Sequence, residues 1–360
     1  MPASSIVQWY TSHPNAPPPP PLHKISHLSI IGHGNVSLDV ARIFLKNVRT
    51  LSKYDVSRPV LDVLSTSKVR HISIIGRRGP LEVAFTSKEL REMMSLPQTY
   101  MVPLHPSLTK PPNGQTLTRQ QLRILKLLSD GSEEAKKPLF KSWSLEFFRS
   151  PVGFASRPSI CSSRHSLLLA HTAVDPKSDD KRAIPTGQNS ILKTDFVVTS
   201  LGFHAEPMES ELYDPVVGHL RNASGRVITA EGKTMKNVYA SGWAATGAKG
   251  VLASTMLNAF SVADMIVADW TTGSNGSAAP LSSLMNEDPD INSLPEDVER
   301  GLQDGVVVQY KDWKMIDLEE RFKGSIMGKE RERICWEDAR NVFTNHRSTR
   351  KPLADPFQNP

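Results

Sequence analysis

The chain has 360 residues, 39% apolar and 22% charged, which is enough for two domains with buried cores and ordinary for a folded protein. Its two cysteines, Cys161 and Cys335, stand far apart with no C-x-x-C pair, which argues against a disulfide framework, a cysteine-built zinc or iron–sulfur centre and a redox-active dithiol. The formal charge of +6 favours anionic partners, no interleaving of basic and aromatic residues points to nucleic acid, and the most apolar stretch, 251–270, is broken by Asn258, Asp264 and Asp269, so it reads as a buried helix and not a membrane span.

Residues 1–23 carry Trp9 and Tyr10 ahead of an unbroken proline run at 17–21 and read as an extended, proline-rich junction. No arginine precedes Arg42, so this opening lacks the pattern of a mitochondrial presequence. At 27–42 a short apolar strand runs into a glycine turn and then a helix, the arrangement that cradles a nucleotide phosphate. Gly32 suits the tight turn, Gly34 lets backbone approach a pyrophosphate, and Asn35 is placed to cap the helix, so the N–H groups of His33, Gly34, Asn35 and Val36 face the anion. Ser37 stands where the third glycine of the fingerprint belongs, and a plain strand-turn-helix junction fits the same residues.

A helical pass around Asp62 leads to a second strand, 71–76, which delivers Arg77 and Arg78 at its carboxyl end. An NAD site places an acid there for the ribose hydroxyls, whereas two guanidinium forks suit a 2′-phosphate and select NADPH; a solvated basic turn is the alternative. Thr86 and Glu89 form a capping box for the next helix, which gives Glu89 a structural task. Farther along, Arg119, Arg123 and Lys126 share one helical face of a polar, basic segment, a face that ordinarily meets solvent. Segments 225–228 and 237–240 read as short strands, the second leading through a glycine-rich loop, 241–250, into the apolar helix. The charge run 329–333 reads as solvated.

The segments 32–43 and 76–93 together resemble the mitochondrial adrenodoxin reductase family, NADPH:ferredoxin reductases that carry FAD. Later motifs agree in order: 143–151, 184–187, 200–203, 241–243, 250–252, and Asp312 with Trp313. The resemblance implies an α/β, two-lobed FAD/NAD(P)-binding Rossmann-like flavoprotein fold, with a proline-rich junction at 1–23, an NADPH-binding domain at 24–204 and the C-terminal part of the FAD-binding domain at 205–360. It places Glu89 on the NADPH ribose, Trp243 with Gly250, Val251 and Leu252 on the flavin ring, and Arg119 and Arg123 where a mitochondrial-type [2Fe–2S] ferredoxin docks. The loop 245–250 lacks the arginine and proline of the family's pattern, which alters its shape. The family's opening glycine fingerprint for FAD has no counterpart here, so the flavin lobe reads as incomplete and the sequence as a truncated record. The implied activity is ferredoxin reduction by NADPH through FAD, in the mitochondrial matrix or on the matrix face of the inner membrane. A non-catalytic NADPH-binding remnant and another NADPH-dependent flavin oxidoreductase of the same fold remain open as alternatives.

Overall fold

The computed structural model describes residues 1–112, 114, 116–132, 141–155, 165–178, 180–203, 212–248, 250, 252–274 and 293–349. These belong to two compact units, one of Met1–Leu201 with Gly301–Pro360 and one of Gly202–Arg300.

In the first unit the chain begins with a helix, α1 (Ala3–Tyr10), where an extended junction is expected. Ala3, Ile6 and Trp9 recur every third residue, so one face is apolar, and all three are buried, Trp9 lying 6.4 Å from the ring of Phe44. The proline run follows and ends at the fully buried Leu22. Next come β1 (His27–Ile31), α2 (Asn35–Leu45), α3 (Val48–Leu51), α4 (Arg58–Ser65) and β2 (His71–Ile75). They are followed by α5 (Ser87–Met94), β3 (Thr99–Met101), α6 (Pro106–Thr109), α7 (Arg119–Asp130) and β4 (Lys141–Glu146). An antiparallel meander, β5 (Arg149–Ala155), β6 (His165–Val174) and β7 (Ala183–Thr194), precedes the last strand, β8 (Phe196–Thr199).

The main sheet runs β3-β4-β2-β1-β8 and is parallel throughout. Leu28, Ile30, Ile72, Ile74, Trp143 and Leu145 point to one face and join the helices in the main core. On the other face Ile31 and Ile75 pack with Leu167 and Leu169 of the meander. Coverage on both faces is why β1 and β2 are apolar with little alternation. Toward the strands' amino ends this second face is polar: the His27 and His71 rings meet edge to face at 4.8 Å, and Ser73, Ser142 and Ser144 bond to them. Lys141 closes the far end of α2, donating to the carbonyls of Phe44 (3.3 Å) and Leu45 (3.1 Å), where the helix dipole favours a cation.

The second unit holds a two-residue hairpin, β9 (Tyr213–Asp214) with β10 (His219–Leu220), and a small antiparallel sheet of β11 (Asn222–Ala223), β12 (Arg226–Ile228) and β13 (Thr234–Tyr239). A single-turn helix, α8 (Trp243–Thr246), leads to the long α9 (Leu252–Ser274). Two of the polar residues that interrupt the apolar run anchor α9. Asp269 accepts a two-pronged bond from Arg226 (2.8 and 2.6 Å) and one from the Tyr239 hydroxyl (2.8 Å), while Asn258 accepts from the Gly242 N–H (2.7 Å). The expectation of a buried helix is corrected: Val262 is buried, whereas Leu252 is 91% and Phe260 61% exposed. The reason is size, since the core of this unit is Val227, Met235, Ala240 and Ala245, too small to cover more than one face of the helix.

Helix α10 (Glu296–Gln303) carries the chain back to the first unit, where α11 (Tyr310–Ile326) and α12 (Trp336–Thr349) follow. The region expected as one carboxyl-terminal lobe, 205–360, is therefore divided at residue 301. Nor is the run 329–333 solvated throughout: Glu330 and Arg333 are exposed, but the other three are not. The side chain of Lys329 is 3% exposed and pairs with the buried Glu332 while its ammonium donates to the Val56 carbonyl. Glu332 accepts from the Arg58 N–H, Arg331 pairs with Asp317 and Glu320, and Arg333 reaches Glu320 and Asp55. The loop between α11 and α12 is thus tied to the segment between α3 and α4, and to the start of α4, by one ion pair and two hydrogen bonds.

Candidate functional site

The first site lies at the carboxyl ends of β1 and β2, where the sheet's carbonyls run out and the turns begin. Gly32 has a left-handed φ of +126°, its N–H donates to the Ile75 carbonyl at 2.7 Å, and a Cβ there would stand 2.0 Å from the Ser200 carbonyl oxygen. Only glycine fits. Gly34 is the opposite case: a Cβ would meet nothing within 4 Å, so the space over it is open to a ligand. Ser37 is fully buried beside Gly32 and serves the close helix packing expected of a small residue. Gly34 is the N-cap of α2, and among the described residues no acceptor takes the Asn35 or Val36 N–H. These free donors, at the positive end of an eleven-residue helix, suit an anion.

Two sequence expectations are corrected here. Asn35 does not cap α2, because its side chain accepts instead from the Thr86 N–H at 2.8 Å and ties the cradle to the start of α5. The capping box of α5 is consequently half made. Thr86 accepts from the Glu89 N–H, but its own N–H is spent on Asn35, so the Glu89 carboxylate is not needed at the cap. Oε2 of Glu89 is buried with no hydrogen-bond partner among the described residues. Nearby, Arg42 pairs with both Asp39 and Glu92. Burial raises the Asp39 pKa, with Arg42 opposing and the charges of Glu89 and Glu92 adding to the rise.

His33 turns inward. Its Nε2–H donates to the Ile74 carbonyl at 2.9 Å, its ring lies edge-on to Phe147 at 4.7 Å, and burial lowers its pKa to about 4. The imidazole is therefore neutral at physiological pH, and only the backbone of His33 is available to a phosphate. Arg77 is exposed and Arg78 half-buried directly after Gly76; their carbonyls are held by the Thr172 hydroxyl (2.7 Å) and the Phe148 N–H (3.3 Å). Among the described residues no carboxylate or carbonyl takes either guanidinium. The turn is fixed and its two cations are unspent. Gly76, which sequence reasoning passed over, completes the site: a Cβ there would lie 2.2 Å from Nδ1 of His33. The available signal was the glycine closing an otherwise apolar strand.

On α7, Thr118 caps the helix and Gln121 returns the bond, while Arg119, Arg123 and Lys126 are exposed along one side. In the second unit Trp243 is half exposed and stacks on Phe203 with ring centres 6.1 Å apart. Gly250 has a left-handed φ of +87°, with the Ser254 hydroxyl where a Cβ would go, and Leu252 begins α9 fully in solvent. Val251 lies outside the described residues.

No protein-family model matches the chain. It is 34% identical over 345 residues to the mitochondrial NADPH:adrenodoxin oxidoreductase of Rattus norvegicus and 32% identical over 350 residues to that of Homo sapiens, covering 92% of this chain and 66% of each relative. Among solved structures it is similar to Mycobacterium tuberculosis FprA in complex with NADPH, with a TM-score of 0.76 at 24% identity over 95% of this chain and 72% of that one. That likeness bears on the fold, and the α/β, two-lobed FAD/NAD(P)-binding architecture fits it. The chain spans about two thirds of the length of the curated relatives it matches.

Proposed function

The chain belongs to the NADPH:adrenodoxin oxidoreductase family, and from that premise we propose that it binds NADPH at the exits of β1 and β2 and, with FAD, passes electrons to an iron–sulfur ferredoxin. The observation that carries this reading is the unpaired Arg77–Arg78 fork beside the open glycine cradle. The Asn35 and Val36 N–H groups hold the pyrophosphate, and the α2 dipole reinforces them. Arg77 and Arg78 take the 2′-phosphate in charge-assisted bonds that an unphosphorylated ribose cannot form. Glu89 Oε2 accepts from a ribose hydroxyl and so gains the partner it lacks. His33, being uncharged, leaves the dinucleotide's charge to the arginines.

For FAD the residues that fit are Trp243, whose exposed face can pack on a ring, and Gly250 to Leu252, with Val251 between them, at the amino end of α9. FAD, when bound, supplies the conversion between a two-electron donor and a one-electron acceptor. The chain's own part is binding and orientation, with no side chain required as a general acid or base. The row of Arg119, Arg123 and Lys126 offers an acidic [2Fe–2S] ferredoxin a docking face. The relatives are mitochondrial by name, and the mitochondrial matrix is the location proposed here.

The test is calorimetric titration of the protein with NADP⁺ and NAD⁺, before and after the double change Arg77→Gln and Arg78→Gln. The preference for NADP⁺ should fall by roughly 100-fold, two charge-assisted bonds being worth about 3 kcal/mol together. An unchanged preference overturns the assignment of the fork. A flavin absorbance band that purifies with the protein supports the electron-transfer reading, and a colourless protein that still binds NADP⁺ replaces it with a nucleotide-binding module.

A further inference from the structure

The first glycine turn and the exit of β2 are bonded to each other at several points. The Gly32 N–H donates to the Ile75 carbonyl, the His33 carbonyl accepts from the Ala84 N–H at 2.9 Å, and Asn35 accepts from Thr86. At the centre of this lattice stands the His33 side chain. Its Nε2–H reaches the Ile74 carbonyl, and its ring is edge-on to Phe147 and 6.2 Å from the buried Phe85. Three ring atoms lie within 2.6 Å of where a Gly76 Cβ would be. Gly76 in turn is gripped on both sides, its N–H by the Glu146 carbonyl (2.9 Å) and its carbonyl by the Arg149 N–H (3.0 Å), and Arg77 and Arg78 follow at once.

We propose that His33 is a positioning residue: its imidazole, seated on Gly76, holds the pyrophosphate cradle and the arginine fork at the separation that one dinucleotide spans. This rests on the nucleotide reading above and adds to it a side chain that touches no ligand. The Gly76 backbone cannot shift toward the ring without moving it, and the ring is held by its bond to Ile74 and its contact with Phe147. The ring is uncharged at neutral pH, so it neither attracts the phosphates nor repels the arginines. Its contribution is separation alone. A ligand engaging both sub-sites gains from their fixed spacing, whereas a ligand engaging only one does not.

The experiment measures binding of NADP⁺, of 2′-AMP, which reaches the fork alone, and of inorganic pyrophosphate, which reaches the cradle alone, at neutral pH. His33→Ala should weaken NADP⁺ by about tenfold or more while each fragment changes by under about threefold, because the loss falls on the linkage. His33→Gln keeps a donor for the Ile74 carbonyl and should restore most of the NADP⁺ affinity. Gly76→Ala should weaken NADP⁺ while His33 is present, and the double variant H33A/G76A should bind better than G76A, since the new methyl group enters the vacated space. Equal losses for dinucleotide and fragments, or a harmless G76A, overturn the inference and leave the nucleotide reading standing. A wild-type protein that binds neither NADP⁺ nor 2′-AMP overturns both.

Discussion

A carboxylate oxygen buried without a donor costs free energy in the absence of ligand, and Glu89 carries one. The like charge of Asp39 acts on the same surroundings, and Arg42 is already bonded to both Asp39 and Glu92. Such a group is unfavourable for the free protein and favourable once a hydroxyl donates to it, which is what a nucleotide ribose provides. Glu89→Gln keeps the shape and removes the charge. It should leave stability in urea unchanged or raise it by roughly 0.5 kcal/mol, and weaken NADP⁺ by about tenfold, the worth of one hydrogen bond to a charged group. A variant that loses stability and keeps its affinity returns Glu89 to a capping role. The residue types of this site were legible in the sequence: two glycines, a small residue at position 37 and paired arginines after a strand. Two partners were not legible. Asn35 is a residue type that caps helices, but Gly34 holds the cap position and only the fold brings Thr86, 51 positions away, to the Asn35 side chain. His33 looked like one more turn residue because nothing local reveals that its ring is aimed at Gly76.

At the scale of elements, local pattern served where burial follows from periodicity and failed where partners come from elsewhere in the chain. β1, β2 and the helices after them were readable, since apolar runs flanked by glycine leave few alternatives. The helix ahead of the proline run was overlooked because the prolines dominate the composition there. The run 329–333 is the clearest failure, for five consecutive charged residues look solvated until Asp55, Val56 and Arg58 are placed beside them. That cluster has a measurable consequence. Glu332→Ala leaves the Lys329 ammonium and the Arg58 N–H facing a void in a site that excludes water, and removing one partner of a buried pair costs about 3–5 kcal/mol. Urea denaturation should show a loss of that size, and added salt should not reproduce it in the wild type, because a buried pair is poorly screened. Replacing both partners, K329M with E332L, should cost less than E332A. A loss below about 1 kcal/mol for E332A, the range of exposed pairs, would show the loop to be as solvated as its composition suggests.

For the whole molecule the governing quantity is charge and where it sits. A formal charge of +6 spread evenly would be unremarkable, but Arg119, Arg123 and Lys126 concentrate three cations along the outer side of α7 with no carboxylate among the described residues to neutralise them. The helix does not need them: Ile124, Leu125 and Leu128 bury its inner side, and Thr118 with Gln121 closes its start. Charges that contribute nothing to folding and share one face act at long range, and their effect belongs to the encounter with a partner. Reversing both arginines, R119E with R123E, should therefore leave thermal stability within about 2 °C while slowing association with an acidic [2Fe–2S] ferredoxin by about 10- to 100-fold at low ionic strength. The gap between variant and wild type should close toward 1 M salt, where the screening length shrinks to about 3 Å. Stopped-flow association rates across a salt series measure both effects at once. If the variant associates as fast as the wild type in dilute buffer, the basic face of α7 is only a solvated surface and the docking site must be sought on another part of the chain.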